Sequence, residues 1–170
     1  MRCVKEVHRK EKKGTRELKA AMIVFAVLFL IGGIVVNRGL MLPCFLMAGL
    51  YFLYDYMAKK DYEYVLDERT FSVNVIRGAR NRKTVHELNL AGLEVLAPHD
   101  SDVVAQYRRG GSSGRIRKYD YTSYEEGVPY YTMIIYEDQE KIKLLLDLDD
   151  EMISAIRRIC PGKVQIQQKI

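Results

Sequence analysis

Two uninterrupted apolar runs dominate the hydropathy pattern. Residues 20–36 read AAMIVFAVLFLIGGIVV and residues 40–54 read LMLPCFLMAGLYFLY, with only Asn37-Arg38-Gly39 between them. Neither run holds a charge. A helix that crosses the roughly 30 Å of bilayer hydrocarbon needs about 20 mostly apolar residues, and about 17 is the lower bound. The first run meets that bound. The second meets it when the helix continues through Ala58 and Lys59 and Lys60 snorkel outward. The pattern predicts a transmembrane helical hairpin over residues 20–58. Asp55 must then lie at the interface or face the partner helix, because a carboxylate buried in lipid is costly. Tyr51, Tyr54 and Tyr56 suit an interfacial belt. Gly32-Gly33 and Ala48-Gly49 offer flat surfaces for close helix approach. A buried soluble helix pair is disfavoured, since neither run has a polar face. A cleaved signal peptide is disfavoured too: no small-x-small site follows Val36, and a second apolar run comes at once.

Beyond the hairpin the period changes to two. YEYVL (62–66) and TFSVNVI (70–76) alternate, are rich in β-branched and aromatic residues, and flank the polar Asp67-Glu68-Arg69, which predicts a β-hairpin. A turn at residues 77–81 leads to a third strand at 83–88. Residues 89–92 make one helical turn or a tight bend, and LEVLA (93–97) is a fourth strand stopped by Pro98. Residues 103–107 are read as a short strand and 117–124 as an edge strand, with a Gly/Ser-rich loop at 109–115 between them. YYTMIIY (130–136) and KIKLLL (141–146) form a second hairpin around Glu137-Asp138-Gln139-Glu140. The period then turns helical. Asp149 or Asp150 caps a helix with Met152, Ile153, Ile156 and Ile159 on one face, Arg157 and Arg158 in its last turn, and Pro161-Gly162 as the stop. An antiparallel sheet with one apolar face needs such a cover.

Charge refines the layout. The net charge of +5 resides in residues 1–19, which hold eight Lys/Arg against three Glu; the remaining chain nets zero. This argues against a globally basic nucleic-acid binder. Lys/Arg excess flanks the two outer hairpin ends, at residues 2–19 and at Lys59-Lys60, while the turn has only Arg38. By the positive-inside rule, both termini and the domain face the cytoplasm. Three widely spaced cysteines, Cys3, Cys44 and Cys160, follow no metal or disulfide pattern.

With these segments in view, the chain resembles bacterial pleckstrin-homology-like (PH-like) membrane proteins, and more closely a small family of two-span bacterial proteins. The likeness rests on the basic start, the hairpin, DYEYVLDERTFSVNVI, RGARNRK, VHELNLAGLEVLAPHD, YYTMIIYEDQEKIKLLL and DLDDEMISAIRRICP. It implies an α+β protein: an N-terminal transmembrane hairpin, then an antiparallel β PH-like barrel or sheet closed by one C-terminal helix. The expected segments are a basic cytoplasmic tail (1–19), the hairpin (20–58) and a PH-like domain (61–170). In eukaryotic relatives the loop between the first two strands is basic and takes phosphoinositides. Asp67-Glu68-Arg69, read as that loop, is short and acidic, which argues against inositol-lipid binding there.

No arrangement of residues calls for catalysis, a metal or a cofactor. Gly110-Gly111-Ser112-Ser113-Gly114 matches GxSxG in letters, but no strand–elbow–helix surrounds it. His99-Asp100-Ser101-Asp102 lacks converging ligands and reads as a solvated turn. His86 reads as a strand surface position. Asp147, Asp149, Asp150 and Glu151 are explained by helix capping. Two basic clusters remain: Arg77, Arg80, Arg82 and Lys83 at one turn, and Arg108, Arg109, Arg115, Arg117 and Lys118 beside Tyr119 and Tyr121. Arginine interleaved with tyrosine can bind phosphate backbones or stacked bases, can lie against the anionic inner leaflet, or can simply keep loops soluble. The expectation is a non-enzymatic protein of the plasma membrane. Its cytoplasmic module binds a protein partner or a second copy, with Arg77, Arg80, Arg82, Lys83, Arg115, Arg117 and Lys118 as the contact candidates. The alternative is sensing of anionic lipid through the tail and the turn at 77–83.

Overall fold

The computed structural model describes residues 2–11, 13–77, 81–107 and 116–166. The chain forms two compact units, Lys10–Lys60 and Met1–Arg9 with Asp61–Ile170.

The first unit is the helical hairpin. Helix α1 (Lys13–Val35) and helix α2 (Met41–Ala58) are joined through a one-turn 3₁₀ helix, Arg38–Leu40. Both helices are long and apolar enough to cross a membrane, over Gly14–Val35 and Arg38–Met57. Their large side chains, Phe45 and Phe52 among them, project outward without a protein cover. The turn is built locally. The Asn37 side chain accepts a hydrogen bond from Gly39 N at 2.8 Å, the role expected of a cap residue. Gly33 lies so close to α2 that a Cβ there would sit 2.8 Å from Met41 Cγ. Asp55 does face the partner helix. Its carboxylate meets Lys19 Nζ of α1 at 2.5 Å and Lys59 Nζ at 2.9 Å, and Lys19 also holds Glu11. The buried Lys19 cation is thereby neutralised.

The second unit begins with a correction. Residues assigned to the basic tail form strand β1 (Arg2–His8). It pairs antiparallel with β2 (Asp61–Asp67), from Arg2 opposite Asp67 to His8 opposite Asp61. Cys3 and Val7 alternate into the core and are buried, which is the period-two signature of a half-buried strand. Strands β3 (Thr70–Arg77) and β4 (Asn81–Asn89) complete a four-stranded antiparallel sheet in the order β1-β2-β3-β4. The helical hairpin is therefore inserted between two adjacent strands. The connection between the first two strands is residues 9–60, and Asp67-Glu68-Arg69 is the second turn.

The second sheet has the order β5-β7-β8-β6, built from β5 (Leu93–Pro98), β6 (Arg117–Asp120), β7 (Tyr131–Glu137) and β8 (Glu140–Leu146). Its edge strand β6 pairs with β8 in parallel, departing from the all-antiparallel expectation. The expected strand at 103–107 is instead a 3₁₀ helix, Asp102–Tyr107. Its Val104 packs on Val95, Ala97 and Ile134 and so covers one face of this sheet. Two sheets, not a closed barrel, enclose the main core of Tyr64, Leu66, Phe71, Leu88, Met133 and Leu144. Helix α3 (Asp150–Ile159) closes it with Met152, Ile153 and Ile156. Its N-cap is Asp149, whose side chain accepts from Met152 N at 2.9 Å. The chain then returns to the outer edge of β5, where Leu96 N donates to Lys163 O and Gln165 N to Leu96 O, both at 2.8 Å.

Candidate interaction surface

The expected contact residues separate into two places. Arg77 ends β3, and Arg82 and Lys83 begin β4, all three exposed. Arg117 and Lys118 are exposed on β6 in the other sheet. Arg80 and Arg115, like Arg108, Arg109 and the GGSSG stretch, lie outside the described residues.

Several of these cations are already engaged. Arg82 sits 2.8 Å from Glu63 Oε1, and Glu63 is only 3% exposed. Asn74 Nδ2 donates to the other Glu63 oxygen at 2.8 Å, and Thr84 Oγ1 donates to Asn74 Oδ1 at 2.8 Å. These side chains follow the register Glu63–Asn74–Thr84 and form a polar row across β2, β3 and β4. A buried carboxylate needs such partners, so Arg82 serves the fold first. Arg117 pairs with Glu140 at 3.4 Å, with both side chains largely exposed, a geometry of little energetic consequence. Lys118, Arg77 and Lys83 remain on the surface.

His86 corrects its expected place. It is 4% exposed and lies where β4 approaches the second sheet. Its ring packs edge-on against Tyr119 (4.6 Å between centroids) and Tyr121 (5.7 Å). Its Nδ1 lies 2.8 Å from Glu137 Oε1. A carboxylate only accepts, so Nδ1 carries the proton, and Nε2 has no hydrogen-bond partner among the described residues. The residue signal was present: a period of two puts His86 on the face of buried Leu88.

Next to this junction Tyr62 packs against Tyr121 at 5.1 Å. Arg9 hydrogen-bonds the Tyr62 hydroxyl, and its guanidinium lies 4.1 Å above the Tyr124 ring. Burial pushes the Tyr62 phenol above its ordinary pKa, and the Arg9 charge only partly offsets this. The last residue before the hairpin insertion is thus fastened to the second unit.

Other chemistry is quiet. Among the described residues no group of three or more His, Cys, Asp or Glu converges as metal ligands. His99 stacks on Tyr130 and its Nδ1 meets Thr132 Oγ1 at 2.9 Å. A groove of about 820 Å³ runs past the β2–β3 turn, with Arg2, Arg69 and Arg158 set against Asp67, Glu68 and Glu87. Its charges balance, so it favours no ligand of single sign.

What remains open is sheet edge. β1 and β4 end the first sheet and β6 ends the second. Among the described residues, β1 makes no backbone hydrogen bond on the side away from β2. This edge is not legible in the sequence, because the charged residues 2–8 read as a basic tail rather than as a strand.

No curated protein and no solved structure matches the chain at a significant level. One family does, over residues 5–166, a span that starts in β1 and runs through the helical hairpin to the segment beyond α3. With that match covering nearly the whole chain, the protein belongs to the family described as Bacterial PH-like domain (DUF6106).

Proposed function

We propose that this is an integral membrane protein whose PH-like unit is a non-enzymatic, protein-binding module held at the cytoplasmic face. The observation that carries this reading is the place of the hairpin, between neighbouring strands β1 and β2. The connectors are residues 9–12 and 59–60, so a bilayer that holds the helices holds the unit on a short double tether. Both connectors and the adjoining helix start are basic, and the opposite turn carries only Arg38, which supports the cytoplasmic side. Among the described residues β1 makes no backbone hydrogen bond on its outer side and β6 ends its sheet, and such an edge is the means by which a sheet adds a partner strand. Lipid sensing through the turn at 77–83 is less well supported, because Glu63 already occupies Arg82.

A photo-crosslinking residue placed at Val4 or at Lys118, in cells, tests the module. The reading expects protein adducts from at least one of these edges. Lipid adducts alone from both positions would overturn it.

A further inference from the structure

We propose that the protein pairs with a second copy of itself through β1, antiparallel and centred on Val4. The idea rests on the interaction-module reading above and names its partner. Cys3, Lys5 and Val7 share the inner face of β1; Cys3 and Val7 are buried, and Lys5 reaches Asp149 at the start of α3. Arg2, Val4, Glu6 and His8 point to the other face, and Val4 is 50% exposed there.

Two features of that outer face point to a copy of itself. First, Glu6 lies directly opposite Glu63 on β2. Like charges facing across a sheet repel. Arg82 and Asn74 satisfy Glu63, while Glu6 has no ion pair among the described residues. A cation on the open side of β1 would relieve it. Second, Arg2-x-Val4-x-Glu6 is complementary to itself when run antiparallel. A two-fold axis normal to the sheet keeps each face on its own side. With the axis at Val4, Arg2 of each copy lies opposite Glu6 of the other, and the two Val4 side chains meet between them. Centring on Lys5 would oppose two lysines and set Val4 against Glu6. Centring on Glu6 would oppose two carboxylates. Among these centres only Val4 satisfies charge and apolar contact together. The product is a continuous eight-stranded sheet with α3 of each copy on the same face.

The test uses the full chain in lipid nanodiscs, with its mass measured by light scattering across a dilution series. The wild type is expected to be dimeric. Glu6→Arg and Arg2→Glu should each weaken the dimer at least tenfold while leaving the circular dichroism spectrum intact, since neither side chain is in the core. The double swap Arg2→Glu/Glu6→Arg rebuilds the complementary pattern and should restore the dimer. In a background with Cys3, Cys44 and Cys160 replaced by alanine, Val4→Cys should form an intermolecular disulfide and Glu6→Cys should not. A monomeric wild type overturns the proposal and leaves the wider module reading to the crosslinking experiment. A dimer indifferent to both charge reversals and to their recombination also overturns it, and would place self-association in the helices instead.

Discussion

At the scale of single residues, the decisive contrast is between cations that serve the fold and cations that remain on the surface. Arg82 neutralises a carboxylate that is almost wholly buried. Arg82→Ala leaves Glu63 with only Asn74, and should destabilise the PH-like unit by about 1–3 kcal/mol in a denaturant titration. Lys83→Ala, one position away and exposed, should change stability by less than about 0.5 kcal/mol. Equal effects at both positions would refute the structural role given to Arg82. A second residue carries a pH signature. Burial raises the Glu94 carboxyl, but the Lys141 ammonium, ion-paired with it at 2.6 Å, and the hydrogen bond donated by the Tyr107 hydroxyl outweigh this and hold the group below its ordinary value of 4.5. A carboxyl depressed in the folded state adds stability above its unfolded pKa and loses it as pH falls through the folded one. Glu94→Gln should therefore flatten the acid limb of the stability curve below about pH 4.5, and should cost about 0.2–1 kcal/mol near neutrality. An acid limb identical to that of the wild type would contradict the pairing.

At the scale of elements, β1 is the strand on which the sheet depends. Removing residues 2–8 strips β2 of its neighbour and uncovers the Cys3 and Val7 sites in the core. The truncated protein should lose its cooperative thermal transition and aggregate, whereas Val4→Thr on the outer face should melt within a few degrees of the wild type. How legible each element was follows from where its signal sits. The β2–β3 and β7–β8 hairpins, the helix pair and α3 were legible because alternation, turn residues, unbroken apolar runs and the Asp149 cap are all local. β1 was not. It has two inward apolar residues, Cys3 and Val7, set among Arg2, Lys5, Glu6 and His8, and charge so close to a span reads as a topology signal. Residues 103–107 read as a strand because VVAQY is mostly apolar, yet only Val104 is buried and a 3₁₀ turn suffices to bury it. The parallel pairing of β6 with β8 depends on a long-range choice that no short window contains. The basic clusters were legible as charge but not as a site. Whether Arg82 is free depends on a glutamate nineteen positions earlier in sequence and two strands away.

At the scale of the whole molecule, the central claim is that a membrane hairpin interrupts a PH-like sheet between two of its paired strands. The register makes this testable by simple replacement. His8 and Asp61 are the last pair of the β1–β2 ladder, so a two-residue Asn-Gly turn can join them as it joins ordinary hairpins. The most direct measurement is alkaline carbonate extraction of membranes bearing the full chain, alongside cells expressing the variant with Asn-Gly in place of residues 9–60. The full chain should remain in the membrane pellet. The variant should be recovered in the supernatant as a β-rich protein with a cooperative unfolding transition. Release of the full chain by carbonate, or a variant that fails to fold, would contradict the account.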